Sequence, residues 1–420
     1  MSEQTQQQAQ RQRTRHVVVV GAGMAGVQTA VALRERGFTG PVTLIGAEPH
    51  QPYDRPPLSK AVLLGEAEHS AFDVDFEALD ITLRLGLDVT ALHAGAHRLD
   101  TADGPVAYDV LVLATGAEPV RLPGVEGVPG VHLLRTLDDA ARLRPVLERR
   151  GHVVVVGAGW IGAEFTTAAR AAGCEVTVVE AAARPLAGVL PAEVAAPMAD
   201  WYAGSGARLL TGARVERVEE GSGEEAGAVI LADGRTLPAG AVVVGIGARP
   251  ATGWLAGTGV GLGPDGSITA DSALRTSLPD VYAVGDCASF PSARYGERLL
   301  VHHWDNALQG PRTVAAAITA AEDGAPPPVY DPVPYFWSEQ FGRFVQYAGH
   351  HAHADTLLWR GDGADAAWSV CWLRDDALVA VLAVGRPRDL AQGRRLIESG
   401  AALDAGRVAD PAVPLKSAAL

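Results

Sequence analysis

Lysine is almost missing from this chain: among 420 residues and 35 basic side chains, only Lys60 and Lys416 are lysine. A general drift toward arginine leaves lysine mainly where a compact, flexible ammonium is needed and a planar guanidinium does not serve, so both positions stand out. Cysteine is scarce too. Cys174, Cys287 and Cys371 are the only three, with no C-x-x-C and no closely spaced pair. That excludes a four-thiolate iron–sulfur cluster and a redox-active disulfide, and buried inert thiols are expected. Positive charge falls short of the 49 acidic residues, leaving a net charge of −14, which argues against nucleic acid or an anionic membrane as partner. No apolar run reaches the ~20 residues of a membrane span. Residues 1–15 are Gln-rich without the apolar core of a signal peptide, so a disordered tail on a cytoplasmic globular protein of two or three domains is expected.

Glycine, by contrast, is placed with purpose. Val17-Val18-Val19-Val20-Gly21-Ala22-Gly23-Met24-Ala25-Gly26 is answered by Val153-Val154-Val155-Val156-Gly157-Ala158-Gly159-Trp160-Ile161-Gly162. In each copy a β-branched run predicts a buried parallel strand and the following Ala-rich stretch a helix, so the glycines fall on the strand-to-helix turn. There the first glycine permits a tight reversal, the second removes a Cβ from the path of a pyrophosphate, and the third lets helix and strand pack closely. The anion then meets the unpaired N–H groups of the helix N-terminus. Glu180 ends Val176-Thr177-Val178-Val179, 23 residues after Gly157, where a carboxylate accepts hydrogen bonds from adenosine ribose hydroxyls. Glu48 follows Val42-Thr43-Leu44-Ile45 at a longer spacing of 27 residues from Gly21, with the loop Phe38-Thr39-Gly40-Pro41 to absorb the difference. Two cradles imply two dinucleotides.

The halves repeat further. Asp109–Leu113 followed by Ala114-Thr115-Gly116 is echoed by Ala241–Val244 followed by Gly245-Ile246-Gly247. Each is a buried strand closing on a small-residue turn. The expected fold class is therefore α/β, with two Rossmann-like dinucleotide domains, one inserted in the other, crossing near 117–122 and 248–252. After the second crossing, Val281–Val284 leads into Gly285-Asp286, where Asp286 serves either as a helix cap or as a ligand of a ribityl chain. Asp305-Asn306-Ala307-Leu308 opens a helix with Pro311 in its first turns, and 324–328 reads as a linker. Tyr335-Phe336-Trp337 and the alternating runs near 343–348, 367–373 and 377–384 predict a small antiparallel sheet with helical ends.

The segments Arg55-Pro56-Pro57-Leu58-Ser59-Lys60, Leu134–Ala140, Trp160-Ile161-Gly162-Ala163-Glu164, Val284–Ala288 and Phe336-Trp337-Ser338-Glu339-Gln340, in that order, make the chain similar to a known family. It resembles the FAD-dependent NADH:ferredoxin reductases of the putidaredoxin reductase and biphenyl dioxygenase ferredoxin reductase type, which serve cytochrome P450 and Rieske oxygenase systems. The resemblance implies a glutathione-reductase-like arrangement: an FAD domain at 16–120 and 250–328, an NAD domain at 121–249, and a C-terminal α+β domain at 329–420. It implies flavin contacts at Ala25, Lys60, Val89, Arg135, Asp286 and Trp304, and an FAD site completed by Gly21, Gly23, Gly26, Glu48, Arg55, Ala114, Thr115, Gly116 and Gly285. The family's acid usually follows the glycine that ends its second strand, whereas here Ala47 takes that place and Glu48 comes next. Its NADH site corresponds to Gly157, Gly159, Trp160, Ile161, Gly162, Glu164, Glu180 and Gly247. Lys60 matches the lysine beside flavin N5 and Glu164 its partner carboxylate; both are the expected catalytic residues. Trp160 either covers the flavin until NADH arrives or simply packs in the turn.

The implied partner is a [2Fe–2S] ferredoxin, with Arg312 and Lys416 at positions that contact it in the family, and a monomer or weak dimer is expected. Two rival readings are open. An NADH oxidase, peroxidase or disulfide reductase wants a cysteine near Gln51–Lys60, which has none; an NADH-binding flavoprotein like apoptosis-inducing factor would turn over slowly. No metal site is expected, since the histidines of His350-His351-Ala352-His353 point to different sides of a strand or loop.

Overall fold

In a computed structural model that describes residues 15–223 and 225–420, the chain divides into two compact units. The expected tail lies outside the described residues except for Arg15, whose guanidinium pairs with Asp280 at 2.7 Å. The first unit comprises residues through Asp54, 71–118 and 249–335; the second comprises 55–70, 119–248 and 336–420.

Each unit is built on the same plan. In the first, five parallel strands run in the order Val281–Ala283, Val110–Leu113, Val17–Val20, Val42–Gly46, Ile81–Leu85. In the second, the order is Arg208–Leu210, Glu175–Val179, His152–Val156, Ala241–Val244, Val131–His132. A three-stranded antiparallel sheet accompanies each: residues 89–107 in the first unit and 215–238 in the second. Val17–Val20 and Val153–Val156 of the central strands are all valine because a parallel sheet is covered on both faces, and every one of these residues is buried. Each such side chain contributes about 1.5–3 kcal/mol. The repeat reaches single contacts. His16 Nε2 lies 2.8 Å from Thr43 Oγ1, and its counterpart His152 lies 2.9 Å from Thr177 Oγ1.

The fingerprint helices are Met24–Glu35 and Trp160–Ala171. Against the first packs the helix Trp304–Asp323, which closes on Gly324 at φ +68°. Pro311 is the eighth residue of that helix, not in its opening turn, so it withholds the amide that Ala307 O would otherwise accept. In the second unit the 3-10 turn Pro56–Ser59 seats on the helices Leu137–Arg149 and Trp160–Ala171. Leu63 joins that unit's core, and Arg144 donates to the carbonyls of Val62 and Ala67 at 2.8 and 2.9 Å. The C-terminal part is an antiparallel sheet in the order 335–340, 343–349, 377–384, 368–374, 356–360, flanked by helices Pro387–Ser399 and Ala405–Ala409. Its strands lie where the alternating runs predict them, with Thr356–Arg360 added at one edge.

Candidate functional site

The two cradles share one geometry. In the first unit Gly21 sits at φ +110°, and a Cβ there would fall 2.1 Å from Ala114 O; a Cβ on Gly26 would fall 1.8 Å from Gly21 O. In the second unit Gly157 at φ +104° would put a Cβ 2.3 Å from Gly245 O, and Gly162 one 2.1 Å from Gly157 O. These four glycines are demanded by backbone against backbone. Gly23 and Gly159 differ: a Cβ on either meets nothing within 4 Å. Each is the N-cap of its helix, at ψ −171° in both, and neither places a side chain on the first-turn N–H groups. Open space before uncapped amides is what a pyrophosphate fills, so both cradles fit a dinucleotide.

The acidic partners are not equivalent. Glu180 directly follows Val179, the strand partner of Val156, and its carboxylate accepts the N–H of Ala158 on Oε2 and of Ala182 on Oε1, each at 2.8 Å. Glu48 lies three residues past Ile45, the partner of Val20, so by register Gly46 holds the place of Glu180. The Tyr53 hydroxyl donates to Glu48 Oε2 at 2.5 Å. The extra residues after the strand therefore lead the first acid to a side-chain partner that the spacing did not reveal.

Around the first cradle, Ala114 is buried against Gly21, Thr115 follows it, and Gly116 takes φ +69°. Gly285, at φ +80°, comes so close to Ala25 that a Cβ there would lie 2.9 Å from the alanine's methyl. Asp286 follows in a 3-10 turn, half-buried, and Val89 begins the antiparallel sheet. His303 caps the helix that starts at Trp304, and burial pushes its imidazole pKa down to about 4, the Asp286 charge only partly opposing the shift. Trp304 Nε1 donates to Asp54 at 2.8 Å, a partner that sequence reasoning missed because it lies 250 residues away. Cys287 is buried, and its thiol pKa is raised by that burial.

In the second unit a buried carboxylate collects three donors from two distant segments. Glu164, 6 % exposed, receives Lys60 Nζ at 2.7 Å and Ser59 Oγ at 2.6 Å on Oε2, and Ser338 Oγ at 2.8 Å on Oε1. The expected pair of Lys60 and Glu164 is thus brought together. Ser59 lies within Arg55–Lys60 and Ser338 within Phe336–Gln340, but nothing in their local sequence pattern marks them as partners of Glu164. Arg55 donates to Arg135 O at 2.6 Å, and the Arg135 N–H is held by Asp139, whose carboxylate also caps the helix with Thr136. Trp160 meets Phe336 edge-on with ring centroids 4.9 Å apart, so within this unit it is a packed side chain. Ile161 and Ile246 present apolar surface near the cradle, and Gly247 takes φ +119°.

Arg312 is exposed on the helix Trp304–Asp323 of the first unit, and Lys416 is exposed on a 3-10 turn in the second. That turn is anchored, with Leu415 and Ala418 fully buried. The buried Arg360 secures the same segment by pairing with Asp389 at 3.1 Å and donating to Val413 O at 2.7 Å. His351 stacks on Trp372 at 4.8 Å and bonds the Tyr347 hydroxyl, and among the described residues no group of three or more His, Cys, Asp or Glu side chains gathers around a metal position. No helix among those residues is long and apolar enough to cross a membrane.

Residues 15–321 match the family described as pyridine nucleotide-disulphide oxidoreductase, and residues 335–419 the one described as reductase C-terminal. The chain is 36 % identical over 409 residues to rhodocoxin reductase of Rhodococcus erythropolis, covering 96 % of this chain and 94 % of that one. It is 38 % identical over 415 residues to the ferredoxin–NAD(+) reductase component of the anthranilate 1,2-dioxygenase system of Burkholderia cepacia, covering 95 % and 98 %. Among solved structures, the putidaredoxin reductase of the covalent putidaredoxin reductase–putidaredoxin complex superposes with a TM-score of 0.90 at 34 % identity, over 96 % of this chain and 97 % of that one.

Proposed function

Because the chain belongs to the pyridine nucleotide-disulphide oxidoreductase family, and within it to the ferredoxin reductases, we propose that it oxidises NADH and reduces a [2Fe–2S] ferredoxin through FAD, in a cytochrome P450 or Rieske oxygenase system. The observation that carries this reading is the doubled cradle: two fingerprints of one geometry, each with its second glycine facing open space. FAD is assigned to residues 16–120 and 250–328, NADH to 121–249, and a supporting C-terminal domain to 329–420. A cytoplasmic monomer or weak dimer suits this role.

When bound, FAD supplies the conversion of one hydride into two single-electron transfers. The chain's own contribution is positioning and charge. Glu180 selects the adenosine ribose of NADH, its carboxylate oriented by the Ala158 and Ala182 amides. Lys60 supplies the positive charge that hydride acceptance calls for, and Glu164 fixes that ammonium. Helix N-termini at Gly23 and Gly159 hold the two pyrophosphates. Disulfide chemistry is disfavoured because Cys174, Cys287 and Cys371 are all buried free thiols. The test is NADH-dependent reduction of several [2Fe–2S] proteins from the same source, normalised to ferricyanide reduction. A rate well above that background with at least one of them is expected; ferricyanide turnover without any ferredoxin reduction overturns the reading.

A further inference from the structure

The strand Tyr335–Gln340 and the residue after it follow one stripe of the second fingerprint helix. Phe336 packs on Trp160, Ser338 donates to Glu164, and the Phe341 N–H donates to Thr167 Oγ1 at 2.9 Å. Positions 160, 164 and 167 recur at helical spacing on one face, and Phe336, Ser338 and Gln340 are the buried members of the strand's alternation.

Ser338 is 1 % exposed and Ser59 5 %, so their hydroxyl protons are committed inside the protein. Lys60 and Ser59 share Oε2 of Glu164, whereas Ser338 alone among the described side chains donates to Oε1. A carboxylate bonded on one oxygen only is free to rotate about its last torsion; bonded on both, it is locked. We infer that Ser338 is a positioning residue for hydride transfer, locking the Glu164 carboxylate so that Oε2 keeps the Lys60 ammonium in place, and that the C-terminal domain thereby serves the NADH half of the reaction. The inference rests on the function proposed above.

A loosened ammonium is a misplaced charge, and displacements near 1 Å cost up to about a hundredfold in rate. For Ser338→Ala the expected loss in stopped-flow flavin reduction by NADH is roughly tenfold, with flavin content unchanged and Ser338→Thr restoring most of the rate. In a Glu164→Gln background the same truncation adds nothing, because the residue it acts through is gone. A second readout does not depend on turnover. With only two lysines in the chain, the holoenzyme labelled with 15N at lysine Nζ gives two lysine ammonium signals, told apart by Lys416→Arg. The Lys60 signal is expected to be protected from hydrogen exchange in the wild type and in Ser338→Thr, and to lose that protection in Ser338→Ala. Should Ser338→Ala fail to keep its flavin, Ser338→Cys, with a weaker donor of similar size, replaces it and is expected to fall between wild type and Ser338→Thr on one side and the tenfold loss on the other. An unchanged rate with an unchanged Lys60 signal overturns the inference, as does a rate loss that persists undiminished in the Glu164→Gln background. Flavin reduction by NADH that is followed by no ferredoxin reduction would instead defeat the proposed function, leaving the Ser338 comparison readable.

Discussion

Glu180 Oε2 accepts a 2.8 Å hydrogen bond from the Ala158 N–H, the amide between the first two glycines of the second fingerprint. The acid proposed to read the ribose is therefore fastened to the loop proposed to hold the pyrophosphate, and in that role its negative charge would oppose a 2′-phosphate. Like-charge juxtaposition there costs several kcal/mol, so NADH is expected to exceed NADPH in kcat/KM by roughly a hundredfold or more. Glu180→Gln narrows the ratio. Equal efficiency of the two coenzymes in the wild type would remove Glu180 from this role.

The two kinds of glycine give opposite phenotypes. Gly159→Ala adds a methyl to open space; only a cap preference of about 1 kcal/mol or less is lost, and Tm falls by no more than about 2–4 °C. On the proposed coenzyme site that methyl would occupy the pyrophosphate position, so KM for NADH is expected to rise about tenfold or more while flavin content is kept. Gly162→Ala drives a methyl to 2.1 Å from Gly157 O, and thermal melting is expected to show a clearly destabilised protein. If Gly159→Ala binds NADH normally, the open space is not the coenzyme's.

His303 sets a pH dependence. Its imidazole pKa lies at about 4 in the fold against 6.5 unfolded, through burial, so between those values the unfolded chain binds the additional proton. Stability from this residue is complete above about pH 6.5 and is lost as pH falls toward 4. By linkage the loss between pH 7.5 and 5.0 is about 2 kcal/mol. His303→Gln does not titrate there, so the urea stability of wild type relative to the variant should shrink by that amount over this interval. A pH-independent difference would mean that His303 is accessible to protons in the fold.

Docking is where global charge opposes the proposed function, since ferredoxins are generally acidic and this chain carries −14. Arg312 and Lys416 are both exposed. Reversing both, Arg312→Glu with Lys416→Glu, should raise KM for ferredoxin about tenfold and flatten its salt dependence while ferricyanide reduction is preserved. A ferredoxin KM and salt profile matching the wild type would move the docking face elsewhere, with the arginines of 386–395 next in line.

The features legible in the chain alone are those whose causes are local. A glycine that must clear a carbonyl five residues earlier, a valine run buried on both faces, and an acid one residue past a strand end each leave a pattern in a short window. The repeat of those windows was enough to indicate two dinucleotide cradles and the α/β class. Register was not legible: the longer route from Gly21 to Glu48 divides between the loop before the strand and the residues after it, and only strand pairing shows that Gly46, not Glu48, stands where Glu180 does. Nor was the company of Glu164. Ser59 and Ser338 lie 105 and 174 residues from it, and no periodicity carries information about which distant hydroxyl will reach a carboxylate. That is decided by the path of the whole chain, which seats the 56–59 turn and the 335–340 strand on one helix.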